Sequence, residues 1–122
     1  MNGPRERHRA QALDVRVHEH MGVPLIVLRG ELDAGSVKHL YHALDDALQT
    51  GSDVLLLDLS ALGYVDSAGL HVIFDTTRTL RHRGWVGAIA PNRVVYKLLE
   101  MAGLIHHPCF RLFEDLDSVT LD

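Results

Sequence analysis

Asp66-Ser67-Ala68-Gly69 is the stretch of this chain whose residue types and spacing point to chemistry. A serine followed by two small residues keeps an uncrowded hydroxyl. Beyond it, Leu70, Ile73, Phe74, Thr77 and Leu80 recur at helical spacing. Asp66 and Ser67 therefore stand at a helix N-terminus, where backbone N–H groups lack partners and the macrodipole favours negative charge. An exposed hydroxyl there can do chemistry or receive it. The same position also suits a plain N-cap, a role open to Ser67 and Asp66 alike.

Other reactive side chains lack a supporting pattern. As a hydrolase nucleophile, Ser67 lacks the elbow Gly-x-Ser-x-Gly, because Val65 occupies the place of its first glycine, and 122 residues are few for an α/β hydrolase. Among nine histidines, His39 and His42 lie at i, i+3, and His106 and His107 lie near Cys109. None has a carboxylate or cysteine at a recognised ligand spacing, so no metal is expected. A glycine-rich phosphate loop is absent, which gives no support to intrinsic ATP binding; no cofactor is expected. Cys109, the single cysteine, sits between Pro108 and Phe110 and reads as an inert thiol of a reducing compartment. Asp58, inside an apolar run, reads as a carboxylate paired with backbone N–H rather than as a base.

The elements that must position Ser67 follow from hydrophobic period. Val54 to Leu59 is almost wholly branched aliphatic without alternation, the pattern of a strand buried on both faces. Ser60 and Gly63 then suggest a short loop to the Ser67 helix. Residues 1–11 are polar and basic and read as a flexible arm before one domain over residues 12–122. Leu13, Val15 and Val17 alternate with polar residues, Met21 to Pro24 turns, and Leu25 to Leu28 forms the second arm of an antiparallel hairpin. Gly30-Glu31-Leu32-Asp33 ends that strand. Asp33 or Ser36 can cap a helix whose inward face is Val37, Leu40, Tyr41, Leu44 and Leu48, and Gly51 stops it. The Ser67 helix ends near Gly84, and Trp85 to Ala90 is a further strand. Pro91-Asn92 opens a helix with Val94, Val95, Leu98, Leu99 and Ala102 inward and Gly103 as stop. Phe110, Leu112 and Phe113 suit an edge strand, and Glu114 to Leu121 a short final helix.

The fold class expected is α/β, a mixed sheet of about five strands with about four helices in the order ββαβαβαβα. Strands joined by single crossover helices run parallel, so Glu31 to Ser36, Gly63 to Gly69 and Pro91 to Arg93 should meet at one sheet edge. In open α/β sheets that edge binds ligands and partners. Hydrophobic content of 47%, charged content of 23% and a net charge of −4 suit a globular protein and give no support to nucleic-acid binding. Neither a membrane span nor an apolar signal core is visible, so the cytoplasm is the expected compartment.

The run Leu57-Asp-Leu-Ser-Ala-Leu-Gly-Tyr-Val-Asp-Ser-Ala-Gly-Leu70 resembles the signature of bacterial anti-sigma-factor antagonists, single-domain proteins of the STAS fold. Gly30-Glu31-Leu32-Asp33, Asn92, and Leu99-Glu-Met-Ala-Gly-Leu104 match further landmarks in order, so the likeness covers about residues 12 to 121. The resemblance implies a non-enzymatic partner switch. An anti-sigma factor that is also an ATP-dependent serine kinase is bound by the unphosphorylated antagonist, which frees a sigma factor. Phosphorylation of the motif serine breaks the complex, and a phosphatase resets it. By position Ser67 is the implied phosphoacceptor, with Asp33, Asp66, Ser67, Ala68 and Gly69 on the partner-binding surface. ATP belongs to the kinase. Two alternatives stay open: a STAS scaffold or sensor module of a larger signalling assembly, and a small serine hydrolase.

Overall fold

The structure is a computed structural model and describes residues 11–122; the expected basic arm, Gln11 apart, lies outside the described residues. Val54–Val65 (β3) runs through the middle of a five-stranded sheet of order β1-β2-β3-β4-β5. Asp14–His20 (β1) is antiparallel to Val23–Leu32 (β2), while β2, β3, Trp85–Ile89 (β4) and Phe110–Phe113 (β5) are mutually parallel. Three helices cross between the parallel strands: Val37–Gln49 (α1), Ser67–Thr79 (α2) and Arg93–Met101 (α3). Each crossover steps the same way across the sheet, so right-handed connections put all three helices on one face.

That face holds the main core. Leu55, Leu57 and Leu59 of β3 pack with Ile26 and Leu28 of β2, and beneath Leu40 and Leu44 of α1, Ile73 of α2 and Val95 and Leu99 of α3. Among the described residues the opposite face carries no α-helix. There Leu25, Leu56, Trp85 and Ile89 are covered by Leu116, Val119 and Leu121 of the C-terminal segment. The Arg111 guanidinium lies 4.0 Å over the Trp85 ring. The unalternating apolar run of β3 thus serves two cores, as a strand covered on both faces must.

Several expectations need correction. Residues 60 to 65 are strand rather than loop. Pairing passes from Val27↔Asp58 to Arg29↔Ala61 and from Gly30↔Leu62 to Glu31↔Tyr64, so β3 carries two bulges against β2. Ser60 and Gly63 have turn-like character because a bulge tolerates it. β2 likewise continues through Gly30, whose φ of +100 lets its backbone lie against the Ala12 carbonyl, to Leu32. The hairpin turn is only Met21-Gly22, with φ of 56 and 82, as a two-residue type I′ turn requires. The final helix is a single 3-10 turn, Leu116–Ser118, capped by the Asp115 side chain. Leu116 and Val119 alone are too few apolar positions to bury a longer helix. Tyr41 and Val94, expected inward, are 56% and 53% exposed, because Ala43 and Ala47 of α1 and Val95 and Leu99 of α3 form the inward stripes.

Candidate functional site

The three connections expected at one edge do meet there, and two side chains lock them together. Asp66 sits just past β3 in extended backbone and is the N-cap of α2: its Oδ1 accepts from the Gly69 N–H at 3.1 Å. Its Oδ2 accepts from the Ala34 N–H at 3.1 Å, and its own N–H donates to the Leu32 carbonyl at 3.0 Å. One carboxylate therefore fixes the start of α2 to the loop before α1. Asn92 does the same on the other side, capping α3 through the Val95 N–H at 2.8 Å while its Nδ2 donates to the Leu62 carbonyl at 3.1 Å. Leu62 lies beside the second β3 bulge, so the bulge presents the carbonyl that Asn92 grips.

Asp33 is used inside its own loop. Its Oδ1 accepts from the N–H groups of Gly35 and Ser36 at 3.0 and 3.1 Å and from the Ser36 hydroxyl at 3.0 Å. Ser36 flanks α1 but makes no side-chain cap to it, and Asp33 rather than Ser36 organises that helix start. Asp33 is half-buried and adjoins Ala34, whose N–H Asp66 holds. The edge also receives the chain's entry: the Gln11 carbonyl accepts from the Glu31 N–H at 3.2 Å.

Ser67 is the first residue of α2 and is exposed, and its hydroxyl makes no hydrogen bond to the described residues. The cap is Asp66, so the serine is spare to the fold. Ala68 is half-buried beside it. Gly69, expected on the partner-facing surface, is buried: a Cβ there would come within 2.7 Å of Leu32 and Val65. Its glycine character serves close packing of α2 on β2 and β3, and it can contribute only backbone to a docked partner. Asp58 is paired as its sequence context suggested, its Oδ1 accepting from the N–H and hydroxyl of Ser60 at 3.0 and 2.7 Å.

Sequence reasoning did not single out the ground beside α3. An open groove of about 670 Å³ there is lined by Tyr64, Arg93, Val94, Tyr96, Lys97, Leu98 and Glu100. Its apolar members, Tyr64 at 43% and Val94 at 53% exposure, flank the Ser67 edge. The signal was ambiguous, since Val94 falls next to the inward stripe of its helix. Among the described residues no three His, Cys, Asp or Glu side chains group as metal ligands, and no helix is long and apolar enough to cross a membrane.

An exposed hydroxyl at a helix start can carry a phosphate without rearranging the chain. A phosphoserine brings about −1.5 to −2 charge and three acceptor oxygens, and the helix terminus offsets this by roughly 0.3–1 kcal/mol at an exposed site. The chain as a whole is similar to known proteins. The family model described as STAS domain matches residues 14–119. The anti-sigma-F factor antagonist RsfB of Mycobacterium tuberculosis is 28% identical over 110 residues, covering 89% of this chain and 88% of that protein. An anti-sigma F factor antagonist of Paenibacillus polymyxa is 32% identical over 94 residues, covering 75% and 80%. The crystal structure of an anti-sigma factor antagonist from Mycobacterium paratuberculosis superposes with a TM-score of 0.78 at 25% identity, covering 87% of this chain and 89% of that one.

Proposed function

The chain belongs to the STAS domain family of anti-sigma-factor antagonists, and from that premise we propose that it is a partner switch thrown at Ser67. Unphosphorylated, its Ser67 edge binds an anti-sigma factor that is also a serine kinase, and a sigma factor is left free. Phosphorylation of Ser67 by that kinase releases the complex, and a phosphatase restores it. The protein is on this reading a regulatory binding partner of the cytoplasm; ATP and catalysis are the kinase's. The observation that carries the proposal is the exposed hydroxyl of Ser67, without a hydrogen-bond partner among the described residues, at a helix start that Asp66 already caps.

The energetics favour a switch of this kind. A partner seated over Ser67 must desolvate the phosphate dianion, and an uncompensated buried charge costs several kcal/mol. Each 1.4 kcal/mol is tenfold in affinity. Asp66 sharpens the effect by like-charge repulsion, because both of its oxygens are held and it cannot turn away.

The test begins with a peptide map of the protein isolated from its own cells, together with what co-purifies. Phosphate on Ser67 in part of the population and a bound ATPase-type kinase are expected. Binding of that kinase should then survive Ser67→Ala, with phosphorylation abolished, and weaken in part in Ser67→Asp, which carries a single charge. Were Ser67→Ala to bind no better than Ser67→Asp, the docking assignment would be wrong. Unmodified Ser67 under every growth condition, with no kinase bound, would favour the scaffold alternative.

A further inference from the structure

Ser67, His71 and Asp75 fall at i, i+4 and i+8 of α2, one above another along a single face of the helix. His71 is well exposed, and its Nε2 lies 3.2 Å from Asp75 Oδ2. The other oxygen of Asp75 takes Arg78 Nη2 at 3.0 Å. From α1 the same groove is lined by Tyr41, Leu44, Asp45 and Leu48, so the titratable groups facing His71 across it are Tyr41 and Asp45. The imidazole thus lies beside Asp75 on one side, one helical turn from the serine, and its other nitrogen makes no hydrogen bond to the described residues.

A phosphate on Ser67 enters acidic ground. Asp66 adjoins it, and Asp33 shares the edge; both carboxylates are tied down by backbone N–H groups. A cation one helical turn away, beside the Asp75 carboxylate, is suited to receive it. We propose that His71 is the positioning residue for the phosphate of phospho-Ser67. The imidazolium donates Nε2–H to Asp75 and Nδ1–H to a phosphate oxygen. This inference rests on Ser67 being the phosphoacceptor. The pairing draws the phosphate along the face of α2, over the ground a partner would occupy.

The experiment uses protein with phosphoserine incorporated at position 67 during translation, so no kinase is needed. The second ionisation of the phosphate is followed by phosphorus NMR at low salt. Loss of the cation disfavours the dianion, so His71→Gln should raise the midpoint by about 0.2–0.4 pH unit, the size of an exposed i, i+4 ion pair. His71→Lys should restore the lower midpoint. A midpoint equal within 0.1 pH unit in wild type and His71→Gln overturns the proposal. So does a midpoint that moves with Arg93→Gln and not with His71→Gln. The functional reading fails separately: if Ser67 carries no phosphate in cells, the NMR result still decides whether His71 can hold one.

Discussion

Asp66 is the residue on which the geometry of the Ser67 edge turns, and its two hydrogen bonds separate cleanly by substitution. Asp66→Ala removes the N-cap of α2 and the tie to the loop before α1 together. Loss of an N-cap costs about 1 kcal/mol. The Ala34 N–H is exposed and water replaces its lost partner, so that bond adds roughly 0.5–1 kcal/mol. The expected sum is about 1.5–2 kcal/mol, a fall in Tm of roughly 6–8 °C for a domain of this size. Asp66→Asn keeps the capping oxygen on the Gly69 N–H and turns its amide NH2 toward the Ala34 N–H, so it should lose the Ala34 bond and cost about 0.5–1 kcal/mol. Urea unfolding should show falling midpoints in the order wild type, Asn, Ala with unchanged m. Hydrogen exchange supplies the local readout: the Ala34 amide should lose protection in both variants while amides of β3 keep theirs. If Asp66→Asn matches wild type in both stability and Ala34 protection, the carboxylate is a cap and nothing more, and the account of a locked edge is refuted.

Two further outcomes test the packing beneath the site. Gly69→Ala gains about 1 kcal/mol of helix propensity but forces a methyl to within 2.7 Å of Leu32 and Val65, so a net loss of about 1–2 kcal/mol should appear in thermal unfolding. Ala90, at φ 55 between β4 and Asn92, tolerates glycine within about 0.5 kcal/mol, since relief of strain offsets the lost methyl, whereas Ala90→Val should cost at least about 1–2 kcal/mol; equal stability of the two variants would deny the strain.

The mixed sheet, the order of its elements along the chain and the meeting of three connections at one edge were legible because each rests on a strong signal. The β3 run is apolar without alternation, and the helical stripes are bounded by Gly51 and Gly103, both at positive φ. Parallel pairing then fixes which ends come together. What escaped was whatever depends on tertiary pairing. Bulges at Ser60 and Gly63 look like a loop in one dimension, because their residues suit a turn and only the register against β2 reveals a strand. Asp66 and Ser67 were equivalent as caps until the backbone assigned the cap to Asp66. Gly69 illustrates the same limit. A small residue near a hydroxyl reads as access for a partner, and only the positions of Leu32 and Val65 turn it into a packing requirement.

That assignment bears on how a switch at Ser67 would operate. Had Ser67 been the cap, a phosphate would have disturbed the first turn of α2, and folding and binding would have changed together. With Asp66 holding Gly69 and Ala34, the modification adds charge to a start already satisfied. The dipole's contribution, roughly 0.3–1 kcal/mol, is small against the stability of a domain. The desolvation of a dianion under a docked partner is several kcal/mol, equivalent to two or more decades in affinity. The two magnitudes differ enough that one phosphate can empty an interface while leaving the fold beneath it intact. The residues that hold the edge rigid are therefore separate from the residue proposed to carry the signal, and neighbouring positions in the sequence divide the two tasks.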